Sequence, residues 1–277
     1  MHFVVCLKQV PDTSEVRIDP ATNTLMREGV PSIINPYDAH ALEEAIRLKE
    51  KVGGKVTIVC MGPPQAKEAL RKAMSFGADR AILLSDRAFA GSDSLATAYI
   101  LTVAIQKINE TDPIDLVFTG KEAIDGDTAQ TGPGIAQRLG FPQLTYVIKV
   151  RDIDAQSITV ERKTEGGREV AKALLPALIT AEKDLNELSY ASLPNMMKSA
   201  AYDPEVWEAK SLPYDLTKMG LKGSPTSVSR IFPPPGKTGG DKIDGTKDPK
   251  GAAATVVAKI FQENVIMVNP LAKGGQA

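Results

Sequence analysis

Four short apolar runs mark the first half of the chain: FVVCL at 3 to 7, VTIVCM at 56 to 61, AILLS at 81 to 85 and DLVFTG at 115 to 120. Each is nearly continuous, the pattern of a strand covered on both faces. Between them stand segments with apolar residues at helical spacing: AHALEEAIRLKEKVG, PQAKEALRKAMSFGA, SDSLATAYILTVAIQKIN and TAQTGPGIAQRLG. Gly53-Gly54, Gly77 and Gly140 supply stop signals for these helices. Strands alternating with helices predict an α/β fold with a mostly parallel sheet, helices on both faces and right-handed crossovers. From residue 144 the period becomes two in LTYVIKVRD and SITVERKT, and REVAKALLPALITAE follows, which predicts antiparallel strands added at the sheet edge.

After residue 185 regularity fades. The stretch 203 to 250 is rich in proline and glycine, including Pro233-Pro234-Pro235-Gly236 and Gly239-Gly240. It predicts an extended C-terminal arm over 201 to 277 without its own core, following an α/β domain over 1 to 190. GAAATVVAKIFQENVI, 251 to 266, is expected to end the arm as a helix apolar enough to need a docking surface.

Composition adds exclusions. Hydrophobic residues at 43% and charged residues at 24% are globular values. Lys+Arg 33 against Asp+Glu 34 removes any global electrostatic reason to bind nucleic acid or an anionic membrane. Aromatics are only 5%, so a large flat ligand has to be held mostly by backbone and small polar groups. Cys6 and Cys60 lie in apolar runs and read as core thiols, with neither a disulfide framework nor metal-ligand spacing. The N-terminus enters a strand within three residues without a signal-peptide pattern, and no segment reaches about 18 uninterrupted apolar residues. A cytoplasmic location without membrane insertion is the expectation.

The strongest local constellation is TGKEAIDGDTAQTGPGIAQRLG, 119 to 140. A strand ends at Gly120, an acidic and glycine-containing loop follows, and a helix is expected to start near Asp127 or Thr128. Free N–H groups and the positive end of a helix dipole would then face the carboxyl edge of a parallel sheet, where phosphate is the natural occupant. Thr128, Gln130 and Thr131 add donors, and Gly126 and Gly132 allow close approach; the alternative is a helix start capped by Asp127 or Thr128 with no ligand. SDRAFAGSDSLATAY, 85 to 99, repeats the arrangement with Ser92 or Asp93 as cap and Arg87 as a charge, and a plain capped loop looks the same. The first strand-helix connection has neither GxGxxG nor a Walker lysine. Asn35 is both a possible cap and a possible adenine or ribose hydrogen-bonder, and His40 reads as an exposed helix residue. No catalytic triad and no metal cluster can be assembled, so any redox chemistry requires a bound cofactor.

Taken in order, VVCLKQVPDT, INPYDAHALEEAIRLKE, CMGPPQAKEALRKAMSFGADRA, GKEAIDGDTAQTGP, VERKTEGGREVAKALLPALITAEKDLNE and LSYASLPNMMKSA resemble one family, the beta subunits of electron-transfer flavoproteins. The resemblance covers about residues 1 to 200; Ala171 stands where the family prefers a large aliphatic residue. It implies a Rossmann-like, adenine-nucleotide-binding fold. It also implies that the nucleotide is held by Cys6, by Asn35, Pro36, Tyr37 and Asp38, by Met61, and by Gly120, Lys121, Glu122, Ala123, Ile124, Asp125, Gly126, Asp127, Thr128, Ala129, Gln130 and Thr131. A partner recognition loop is implied at 190 to 200, with Leu193 as anchor beside Pro194, Met196 and Met197.

Shuttling members of the family bind AMP in the nucleotide site, and electron-bifurcating members bind a second FAD. DGDTAQTGP in place of a DDDCNQTG-like pattern, together with SDRAFAGSDSLATAY, resembles the bifurcating members. That implies FAD in this chain, with Asp86, Arg87, Phe89, Gly91, Ser92, Asp93 and Thr97 near the flavin diphosphate or the NADH approach. It further implies a heterodimer with an FAD-bearing alpha subunit that the arm and terminal helix embrace. NADH is the implied electron donor, and ferredoxin or flavodoxin and an acyl-CoA-type dehydrogenase are the implied acceptors.

Overall fold

The four apolar runs form the middle of one nine-stranded sheet, because strands buried on both faces can be covered only where helices lie above and below. The computed structural model describes residues 1–12, 18–19, 24–25, 31–213, 215–229 and 239–262. Two units divide the chain, Met1–Phe232 and Pro233–Ala277.

In the first unit, β1 (His2–Leu7) is followed by the short strands β2 (Gln9–Pro11), β3 (Ile18–Asp19), β4 (Thr24–Leu25) and β5 (Ser32–Ile34), then α1 (Pro36–Val52) and β6 (Lys55–Met61). Next come α2 (Lys67–Met74), β7 (Arg80–Leu84), α3 (Ser94–Thr111), β8 (Leu116–Gly120) and α4 (Thr131–Leu139). The chain continues through β9 (Gln143–Ile153), β10 (Ser157–Thr164), β11 (Gly167–Leu174), β12 (Ala177–Ala181), α5 (Leu193–Ala200), β13 (Glu205–Trp207) and the single turn α6 (Gly220–Gly223). Strand order is β11-β10-β9-β12-β8-β1-β6-β7-β13, with β10 antiparallel to both its neighbours and the other main-sheet pairs parallel.

Alternate strand residues feed two cores. Phe3, Val5, Ile58, Leu83 and Phe118 pack under α1 and α2. Val4, Cys6, Val59, Ile82 and Val117 pack under α3 and α4. Phe3 and Phe118 meet edge to face at 6.3 Å across the β1–β8 pair. Cys6 and Cys60 are both free and buried, and they belong to opposite cores.

Three expectations change. REVAKALLPALITAE is two strands: it breaks at Leu175-Pro176, and β12 is not at the edge but pairs parallel with β8 and β9 inside the sheet. Residues 201–232, expected in the arm, belong to the first unit; β13 pairs with β7, and Ala209, Leu212 and Met219 are buried in the core under α3. The segment 190–200 is helical from Leu193 rather than a loop, since the Ser192 hydroxyl accepts from the Asn195 amide and Pro194 suits a first turn. In the second unit, α7 (Pro249–Gln262) has no buried residue, and Lys259 pairs with Asp241. Residues 263–266 of the expected terminal helix lie outside the described residues. Among the described residues no helix is long and apolar enough to cross a membrane.

Candidate functional site

From β1 the chain winds outward through β6 and β7, then returns to place β8 on the other side of β1. The loop leaving β1 therefore leads to α1 on one face of the sheet, and the loop leaving β8 leads to α4 on the other. The carboxyl ends of β1 and β8 are thus the switch point of the sheet, the crevice position where open α/β sheets bind ligands. Cys6, Asn35 to Asp38, Met61 and Gly120 to Thr131 all converge on this edge, at the ends of β1, β6 and β8 and the start of α1.

Buried polar side chains brace the crevice. Asp38, in the first turn of α1, accepts the backbone N–H of Lys8 on Oδ2 (2.8 Å) and that of Gly120 on Oδ1 (2.9 Å). One carboxyl thus staples the ends of β1 and β8. Burial pushes its pKa up to about 7, against the hydrogen bonds from Lys8, Asn35 and Gly120 that favour the charged form. Asn35 sits at the cap position of α1 but makes no cap bond. Its side chain donates to the Glu122 carbonyl (2.8 Å) and accepts from the Ile124 amide (3.2 Å), so it fastens the β8 loop. Lys8 Nζ closes the mouth with an ion pair to Asp125 at 2.7 Å.

The helix after β8 starts later than expected. Asp127 (φ 48°) and Ala129 (φ 52°) are left-handed, which no helix accommodates, so α4 begins at Thr131. Neither Asp127 nor Thr128 is the cap; that position is Gln130, and its side chain makes no cap bond. The first amides of α4 therefore lack a capping side chain. Gly120 and Gly132 permit close packing here: a Cβ on Gly120 would lie 2.4 Å from Asp38 Oδ1, and one on Gly132 would lie 2.6 Å from Thr119 Oγ1. Thr119 Oγ1 is buried without a hydrogen-bond partner.

Beside the crevice, the pairing of β9 with β12 slips between Ile179 and Ala181, and Tyr146 bulges out at φ 57° with its amide on Thr180 Oγ1 (2.9 Å). Lys121 Nζ stands 5.5 Å from the Tyr146 ring centre and 5.7 Å from that of Tyr37, with Glu122 at 3.4 Å and Glu182 at 3.6 Å. Burial opposes the Lys121 charge, but Glu182 and Glu122 outweigh it and raise the ammonium above its ordinary pKa.

The 86–93 loop follows β7 at the same edge, with β6 between it and β1. The side chains of Asp86, Ser92 and Asp93 are engaged within the chain. Asp86 accepts from the amides of Ala88 and Ala209, both at 2.9 Å, and these bonds, the Ala88 one first, hold its carboxyl below the usual range. Ser92 binds the Phe89 carbonyl and the Gly220 amide, and Phe89 is buried in the core under α3. Asp93 caps α3 through the amides of Leu95 and Ala96 and also accepts from Thr226. Arg87 and Gly91 are exposed, and Thr97 is half-buried in the second turn of α3. Asp93→Ala is expected to cost about 1 to 2 kcal/mol, read as a lowered melting temperature; an unchanged melt would contradict the capping role.

His40 is half-buried, because its Nδ1 meets Asn186 Oδ1 at 2.9 Å across the α1 surface. Leu193, Met196, Met197 and Tyr190 are exposed together on and before α5, with Leu193 at 68%. Sequence reasoning missed Lys8, Thr119 and Tyr146. Lys8 and Thr119 flank strand ends that were themselves legible, whereas nothing local marks the Tyr146 bulge.

Comparison with known proteins matches residues 22–212 to the electron transfer flavoprotein domain. Protein FixA of Azotobacter vinelandii is 51% identical over 278 residues, covering 99% of each chain. The electron transfer flavoprotein subunit beta of Clostridium acetobutylicum is 50% identical over 268 residues, 96% of this chain and 100% of its own. That of Thermoanaerobacterium thermosaccharolyticum is 49% identical over 269 residues. A domain match across most of the chain, joined to relatives half identical over nearly its whole length, places the protein in the electron transfer flavoprotein family.

Proposed function

We propose that the chain is the beta subunit of a heterodimeric electron transfer flavoprotein and holds FAD in the crevice between β1 and β8. The complex takes a hydride from NADH, sends one electron to ferredoxin or flavodoxin, and sends the other through an alpha-subunit FAD to an acyl-CoA-type dehydrogenase. The observation that carries the nucleotide reading is the uncapped N-terminus of α4 at the sheet's switch point. Relatives named as beta subunits, half identical to the chain, support the subunit reading.

The residues present fit an adenine nucleotide. The first amides of α4 suit phosphate oxygens, the buried Thr119 hydroxyl is without a partner, and Gly120 and Gly132 keep side chains out of the floor. Bound there, a flavin would supply hydride acceptance and single-electron release. The chain's own part is to bind and orient. Asp38 and Asn35 hold the two loops in register, the Lys8–Asp125 pair clips the mouth, and Lys121 keeps a charge beside the Tyr37 and Tyr146 rings.

One observation favours a second reading, structural AMP with a purely docking role: Asp86, Ser92 and Asp93 of the 86–93 loop spend their hydrogen bonds on their own chain. Anaerobic titration of the purified heterodimer with NADH separates the two. Bleaching of flavin by NADH supports bifurcation, and flavin that stays oxidised supports AMP.

The exposed Leu193, Met196 and Met197 form the surface we assign to the dehydrogenase, with Pro194 setting the first turn of α5. Leu193→Ala should leave flavin content and NADH-driven reduction intact while weakening transfer to the dehydrogenase by about 2 kcal/mol. Unchanged transfer would remove Leu193 from the docking surface.

A further inference from the structure

A groove of about 520 Å3 runs along α3 beside α4. Leu95, Tyr99, Thr102, Val103 and Gln106 line it, spaced i, i+4, i+7, i+8 and i+11 on one stripe of the helix. Arg138 of α4 closes one side, and Lys218 and Gly223 close the other. From Leu95 to Gln106 the stripe is roughly 16 Å long at 1.5 Å per residue, three helical turns. Leu95 on it is an exposed apolar residue.

The charge of the lining is one-sided. It contains two cations and no acid. Lys218 reaches Asp215 at 3.4 Å, but Arg138 has no ion pair among the described residues. Its guanidinium donates only to the carbonyls of Gly134 (3.1 Å) and Leu95 (3.4 Å), which leaves donors for a carboxylate. The floor offers little to a small polar ligand, since the Thr102 hydroxyl is bound to the Ala98 carbonyl and the Tyr99 hydroxyl accepts from the Asp215 amide.

We propose that this groove seats a helix of the second subunit that carries a carboxylate among apolar side chains, the carboxylate meeting Arg138. The inference rests on the two-subunit reading above. Leu95, Tyr99 and Val103 on one stripe of α3, with an unpaired arginine at the wall, are the complement of an acidic amphipathic helix.

The test uses the full chain, its second subunit and two variants, Leu95→Asp and Arg138→Gln. Leu95 lies in the first turn of α3, where a carboxylate favours the helix, so folding should survive; a melting curve of each variant checks this. Sedimentation of separately purified chains should show a dissociation constant raised at least tenfold by each variant, with Arg138→Lys falling between wild type and Arg138→Gln. Constants within twofold of wild type for both variants would overturn the proposal while leaving the two-subunit reading standing. A wild-type chain that fails to associate at all would overturn both. Lost nucleotide with an unchanged constant would assign the groove to the nucleotide site instead and overturn the docking inference.

Discussion

Replacing Gly120 with alanine is expected to empty the nucleotide crevice and to destabilise the chain by about 3 kcal/mol. The added Cβ would stand 2.4 Å from Asp38 Oδ1, 2.6 Å from Tyr37 Cβ and 2.9 Å from the Asp38 amide nitrogen. None of these can move cheaply. Asp38 is pinned by the amides of Lys8 and Gly120, and Tyr37 and Asp38 lie in the first turn of α1. Relief requires parting β8 from α1, which breaks the Gly120–Asp38 bond and separates the loops that define the crevice. For a chain of this size the loss corresponds to a melting temperature lower by roughly 6 to 12 °C. Gly126→Ala is the control, because a Cβ there meets nothing within 4 Å, and it should stay within about 0.5 kcal/mol of wild type. Thermal melts and chromatography of released nucleotide check both variants. A Gly120→Ala chain that melts with wild type and keeps its nucleotide would contradict the close approach.

Asp38→Asn should change how stability depends on pH. The wild-type carboxyl titrates at about 7 in the folded chain, against an ordinary value of 3.8, because burial disfavours its charge. Between those values the folded state holds a proton that the unfolded state has lost. Stability from this group is therefore present at low pH and is lost as pH rises through 7, by about 3 kcal/mol between pH 5 and pH 8. Asparagine does not titrate, and it leaves one of the two stapled amides without an acceptor, a cost of about 1 to 3 kcal/mol. The stability gap between wild type and variant, from urea unfolding, should be widest at pH 5 and shrink by about 3 kcal/mol at pH 8. A gap that does not vary with pH would contradict the raised carboxyl.

The central strands and the helices between them were legible because their cause is local. A strand buried on both faces must be apolar throughout, as in FVVCL, and a helix ending at Gly53 or Gly140 needs a residue that tolerates positive φ. The place of β12 was not legible, since pairing with β8 and β9 is decided by packing between segments far apart in the chain. The start of α4 was misplaced because Asp127 and Thr128 look like caps, and only the left-handed turn at 127 and 129 defers the helix to Thr131. At the site, the sequence marked Asn35 and Asp38 but not their work as braces. Their partners, Glu122, Ile124 and Gly120, lie more than eighty residues away and leave no nearby signal. The polar 86–93 loop looked open to a ligand for the same reason, as its partners at Ala209, Gly220 and Thr226 come from beyond the sheet.

The most direct test of the account is the nucleotide content of the purified heterodimer, read by the flavin spectrum and by chromatography after denaturation. Two FAD per heterodimer are predicted, one of them lost in Gly120→Ala; one FAD together with one AMP, or no nucleotide attributable to this chain, would contradict it.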